Sequence, residues 1–193
     1  MEKELKNKSE KILRNKALAF LGRFLLIFLI GHGVYDYYIR SSSPEVDVLT
    51  EFVAHNTADI LSQFEDSIAT ENFPSENPEL LPYTTIYMDG QGTISVAHEC
   101  NGAVVMILFL AFVVAFSGLK RELWWYIPVG FIFIHLANLS RMILLTYLSF
   151  NNSSWLHFTH KFLFTALIYL MVFLLWIFWV NLMLKRDKRA KLA

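Results

Sequence analysis

The sequence predicts an all-α polytopic membrane protein: about four transmembrane helices, with a long outward loop containing an amphipathic helix and a short β-hairpin. Three observations predict it. Of 193 residues, 55% are hydrophobic, and the mean hydropathy is +0.41, far too apolar for a soluble domain of this size. Four stretches approach or exceed the ~20 apolar residues that cross a bilayer. Charge is segregated: residues 41–99 contain no Lys or Arg but eleven acidic residues, while both ends of the chain are basic.

Residues 1–16 form a basic tail holding Lys3, Lys6, Lys8, Lys11, Arg14 and Lys16. The first predicted span covers 17–39. It lacks a small-residue cleavage pattern and reads as an uncleaved anchor; Arg23, one turn inside, can snorkel to the surface. Residues 40–99 form the acidic outward loop. Within it, Val46 to Ile68 places Val48, Phe52, Asn56, Ile60, Phe64 and Ile68 near one helical face, as an amphipathic helix on the membrane or the bundle would. Asn72 to Pro82 holds three of the five prolines and reads as irregular loop. Thr84–Met88 and Thr93–Val96 are β-prone runs around Asp89-Gly90-Gln91-Gly92, a hairpin signal. The remaining spans are predicted at 100–117, 124–148 and 162–184, with a basic tail at 185–193. Basic residues mark the cytoplasmic side, so both tails and the Lys120-Arg121 connection are expected inside. The acidic loop and residues 149–161 are expected outside. The basic ends call for no nucleic-acid partner.

Cys100 is the only cysteine. It lies in His98-Glu99-Cys100-Asn101-Gly102, where the outward loop meets the second span. A lone cysteine on an oxidising face cannot form an internal disulfide; it is a packing residue or a reactive thiol. A helix N-terminus favours the thiolate. Gly102 leaves room for a substrate backbone, and Glu99 and His98 adjoin the thiol. Arg141 lies about six residues, or ~9 Å, below the outer end of the third span. A guanidinium at that depth faces a polar site or snorkels to headgroups, and Asn138 shares its face. His160 opens the fourth span, with His157 one turn before it; either could serve the thiol. His135 is expected near mid-membrane, too deep for that role. His32 and Asp36, four residues apart, could pair or be merely interfacial. No metal-ligand pattern, phosphate-binding glycine loop or Gly-x-Ser-x-Gly elbow is present, so no metal or cofactor is expected.

The order Glu-Cys-Asn-Gly, then Asn-x-x-Arg at Asn138–Arg141, then a His opening the last span, resembles the exosortase/archaeosortase family over roughly Thr93 to Val180. The chain looks like a compact form, similar to the F-type exosortases. Asn101 stands where many members have Ser, and about four spans stand where many have about eight. The resemblance implies a membrane cysteine transpeptidase with Cys100 as nucleophile and Arg141 and His160 completing the site. It implies as partners, besides membrane lipid, exported proteins whose C-terminal tail joins a short motif, a transmembrane helix and a basic cluster. It places the enzyme in a bacterial inner membrane with its site facing the periplasm. The rival readings are a non-catalytic membrane scaffold, whose polar residues bind helix to helix, and a small transporter subunit, which calls for a polar stripe along the whole third span. That stripe stops at His135.

Overall fold

The computed structural model describes residues 2–75, 77, 80–117, 121–152 and 154–190. The elements run α1 (Glu2–Ser42), α2 (Val48–Leu61), β1 (Ile68–Phe73), β2 (Tyr83–Met88), β3 (Gln91–Ala97), a 3-10 turn (His98–Cys100), α3 (Ala103–Ser117), α4 (Leu123–Phe150), a single turn α5 (Leu156–Phe158), a π turn (Thr159–Leu163) and α6 (Phe164–Ala190). Lys120 of the basic connection, residues 76, 78 and 79 of the proline-rich stretch, and the last three residues of the basic tail lie outside the described residues.

Among the described residues, three helices are long and apolar enough to cross a membrane: Arg14–Ser42, Leu123–Phe150 and Leu156–Arg186. Their ends differ from those read in the sequence. The segment 1–16, read as a tail, continues the first span as helix from Glu2, because it consists largely of Lys, Glu and Leu, which lose little side-chain freedom in a helix. The same holds at the other end, where α6 runs on to Ala190. The last span starts earlier than 162, at Leu156, and passes through a π turn. The second span, read as 100–117, is the largest difference. Its helix begins only at Ala103 and has 15 residues, a rise of ~22 Å against a ~30 Å hydrocarbon core. Gly102, at φ +81°, separates the 3-10 turn that ends at Cys100 from that helix.

The segment from α2 through β3 folds onto the C-terminal half of α4. Asp47 caps α2, its Oδ1 accepting from the backbone N–H groups of Leu49 and Thr50 at 3.1 and 3.0 Å. The sheet is antiparallel in the order β1-β2-β3. Asp89 (φ 51°) and Gly90 (φ 75°) make the β2–β3 turn, with both central residues at positive φ as a two-residue hairpin favours. Strand β1 differs from the sequence reading: Ile68 belongs to it rather than to the amphipathic helix, and Asn72 to it rather than to a loop. Pairing with β2 creates this strand, helped by Thr84 Oγ1 donating to Asn72 Oδ1 at 2.7 Å and by Phe73 stacking on Tyr83. Val48, Phe52 and Phe64 stay exposed, and the face of α2 packed against the protein is made of Thr50, Val53, Ala54, Thr57, Ala58 and Leu61. Small and β-branched residues let α2 approach the sheet and α4 closely.

Two apolar cores result. The upper one joins Val53 and Leu61 of α2, Ile86, Met88 and Val96 of the sheet, and Leu139, Met142 and Leu145 of α4. The lower one joins Phe109 and Val113 of α3, Tyr126 and Ile134 of α4, and Val172, Trp179 and Met183 of α6. Gly130 allows the α3–α4 approach: a Cβ there would lie 2.3 Å from Phe109 Cζ. Helix α1 lies along α3 in the same manner, with Gly31 against Ile107. Small residues at such contacts are how membrane helices pack closely. The candidate site occupies the seam between the cores.

Candidate active site

Strand β3 delivers the chain into the 3-10 turn, so the hairpin sets where Cys100 begins. Three side chains then hold the turn. Asn138 of α4, 1% exposed, donates its Nδ2 to the Cys100 carbonyl at 2.7 Å. It also packs under Gly102, where a Cβ would meet its carboxamide at 3.6 Å. Asn101 is 4% exposed; its Nδ2 donates to Tyr35 Oη at 2.7 Å and Thr50 Oγ1 at 3.1 Å, and its Oδ1 accepts from the Ala103 N–H at 3.0 Å. Tyr35 in turn donates to the His98 carbonyl at 3.0 Å. Asn101 is therefore a hydrogen-bonded junction between α1, α2 and the start of α3.

Cys100, Arg141 and His160 line one cavity of about 580 Å³. Its walls are the C-terminal part of α1 (His32, Tyr35, Asp36, Ile39), the Cys100 turn with Glu99, and the α6 side (Lys161, Thr165, Ile168, Tyr169). Below it, rings from α1, α3 and α6 close together: Phe20 against Phe112 at 5.4 Å, and Phe112 stacked on Trp176 at 4.2 Å. A second cavity of about 280 Å³ lies on the sheet side, lined by Ser95, Cys100, Met142, His157 and His160 among others. Cys100 and His160 thus border both spaces. Arg141 borders only the larger, and His157 only the smaller.

The π turn supplies His160. A π turn adds a residue to the helical repeat and recurs at functional sites; here the Phe164 N–H bonds the Thr159 carbonyl. His160 lies within electrostatic reach of both Arg141 and His157. Among the described residues, Arg141 Nε, Asn138 Oδ1 and His98 Nδ1 near the thiol are buried without a hydrogen-bond partner. Such atoms cost free energy unless a ligand or water meets them, and these three sit on residues that line or support the larger cavity.

Other sequence candidates have different partners. Asp36 pairs with Arg40 at 3.0 Å rather than with His32, so no imidazole–carboxylate pair forms there. His135, expected near mid-membrane, meets α2: it stacks on Phe52 at 5.4 Å and lies 3.5 Å from Asn56 Nδ2. Tyr35 escaped the sequence reading, since a tyrosine near the outer end of a span reads as an interfacial aromatic. Among the described residues, no group of three or more His, Cys, Asp or Glu is arranged to hold a metal ion.

The family model for transmembrane exosortases matches residues 13–178. The chain belongs to the transmembrane exosortase family. The match takes in α1 from its polar N-terminal part, the outward segment and most of α6, and so contains every wall of this exosortase's cavity. No curated protein and no solved structure matches it.

Proposed function

We propose that this exosortase is a membrane cysteine transpeptidase that cleaves the C-terminal sorting tail of exported proteins. The observation that carries the reading is the single cavity lined by Cys100, Arg141 and His160. In the first step the Cys100 thiol gives its proton to His160, and Sγ forms a bond to the scissile carbonyl carbon. The guanidinium of Arg141, permanently charged and planar, stabilises the oxyanion. The C–N bond then breaks, the leaving amine takes the proton from His160, and a thioester remains on Cys100. An acceptor nucleophile, deprotonated by His160, attacks the thioester, and the C–S bond breaks to restore the thiol. Water or an amine fits this second step equally.

The tail of the substrate joins a short motif, a transmembrane helix and a basic cluster. Charge segregation supports an orientation with both ends cytoplasmic and the cavity on the periplasmic side of an inner membrane. In that orientation α3 acts as a short fourth span, extended at its outer end by the nucleophile turn. The ring cluster beneath the cavity favours a closed pocket over a transport path.

The test is covalent labelling of the protein in nanodiscs by a peptide electrophile, read by mass spectrometry. Fast labelling at Cys100 that collapses in Arg141→Ala and His160→Ala supports the reading. Arg141→Lys keeps the charge but loses the fork, and is expected to be nearly as damaged as Arg141→Ala. Slow labelling, equal in all variants, would mean an ordinary cysteine and a scaffold role.

A further inference from the structure

Cys100 is held from both sides by a residue on another helix. Tyr35 Oη donates to the carbonyl of His98, two residues before the thiol, and accepts from the side chain of Asn101, one residue after it. The ring is 8% exposed and Asn101 is 4% exposed, so water cannot readily replace these bonds. A carboxamide is the side chain this junction needs. Its NH2 serves Tyr35 and Thr50 together while its oxygen serves the Ala103 N–H; a hydroxyl, with one proton to give, could not do all three.

Tyr35 also stands in the cavity wall, on the same stretch of α1 as His32, Asp36 and Ile39. The wall a substrate touches and the loop that carries the thiol are therefore joined by one phenolic oxygen. We propose that Tyr35 is a positioning residue: through Asn101 and the His98 carbonyl it holds the Cys100 turn at the orientation that attack requires, without itself touching the reacting atoms. The proposal deepens the cysteine-transpeptidase reading and rests on it. Nucleophile placement is steeply coupled to rate, with ~1 Å of error costing roughly a hundredfold. Losing one of several restraints on a turn is a smaller disturbance.

The experiment is saturation labelling of full-length protein in nanodiscs with the peptide electrophile, giving a maximal rate and a half-saturating concentration. In Tyr35→Phe, which keeps the ring, the maximal rate is expected to fall roughly tenfold, with half-saturation changed by less than about twofold. A merely structural role would lower the labelled fraction, not the maximal rate of the molecules that label. Tyr38→Phe, one turn away and outside the cavity, is expected to match wild type. The double variant Tyr35→Phe/Asn101→Ala is expected to lose less than the product of the two single losses, because the Tyr35–Asn101 bond is common to both. Hydrogen–deuterium exchange over residues 98–103 reads the same tie without catalysis and is expected to quicken in Tyr35→Phe. Wild-type maximal rate, multiplicative losses in the double variant, or unchanged exchange would each overturn the positioning role. A wild-type Cys100 that resists labelling while exchange still quickens would instead overturn the thiol reading on which the proposal rests.

Discussion

Truncating Asn138 tests whether the nucleophile turn depends on α4. In Asn138→Ala the Cys100 carbonyl loses a 2.7 Å donor at a position where the donor side chain is 1% exposed. A buried carbonyl left without a partner costs about 1–3 kcal/mol. The space under Gly102, now lined by Asn138 at 3.6 Å, opens as well, and the turn can sink into it. Displacement approaching ~1 Å lowers the rate by up to roughly a hundredfold. Asn138→Leu separates the two effects. It restores the volume but not the donor, so it is expected to label Cys100 about as slowly as Asn138→Ala. The assay is peptide-electrophile labelling in nanodiscs, with thermal unfolding measured alongside. Asn138→Leu labelling at the wild-type rate would refute the reasoning, because it would make Asn138 a packing residue whose hydrogen bond is dispensable.

Three further outcomes follow from the geometry. His160→Gln is expected to slow labelling by about 10²–10⁴-fold, the usual worth of a general base; His157→Gln, which shares no cavity with Arg141, is expected to lose less than about tenfold, and the reverse order would exchange their roles. Gly130→Ala would place a methyl 2.3 Å from the fully buried ring of Phe109; overpacking of this kind costs about 1–3 kcal/mol, seen as a lower unfolding midpoint with the labelling rate of the folded fraction preserved. Asp47→Ala removes the acceptor of two α2 N–H groups and is expected to cost ~1 kcal/mol, with exchange quickening across Val48–Leu61; unchanged exchange there would mean the cap contributes nothing.

Much of the architecture was legible because it follows from solvent. The three long helices are apolar stretches with basic flanks, and a bilayer admits helices there because every backbone group must be satisfied within the segment. The β2–β3 hairpin was legible because Asp89-Gly90 supplies two adjacent positive-φ residues. Less accessible were features set by contact. Strand β1 was hidden because Ile68–Phe73 carries little alternation of its own and becomes a strand by pairing with β2. The face of α2 that meets the protein was not legible because small and β-branched residues form it, while the large apolar Val48 and Phe52 stay exposed. The π turn at His160 leaves no mark in composition.

The sequence by itself determined the membrane class, the segregation of charge, and which few residues carry reactive chemistry: one thiol, a guanidinium and a histidine pair set in apolar surroundings. These follow from local cost, since a charged or reactive group in an apolar segment is expensive wherever the chain goes. Only the tertiary structure decided which of them share a cavity, that Asn101 is a hydrogen-bonded junction, and that Tyr35 and Asn138 grip the turn around Cys100. Those bonds join residues 38 to 66 positions apart. No local pattern encodes them, because each exists only once α1, α2 and α4 have packed against the start of α3.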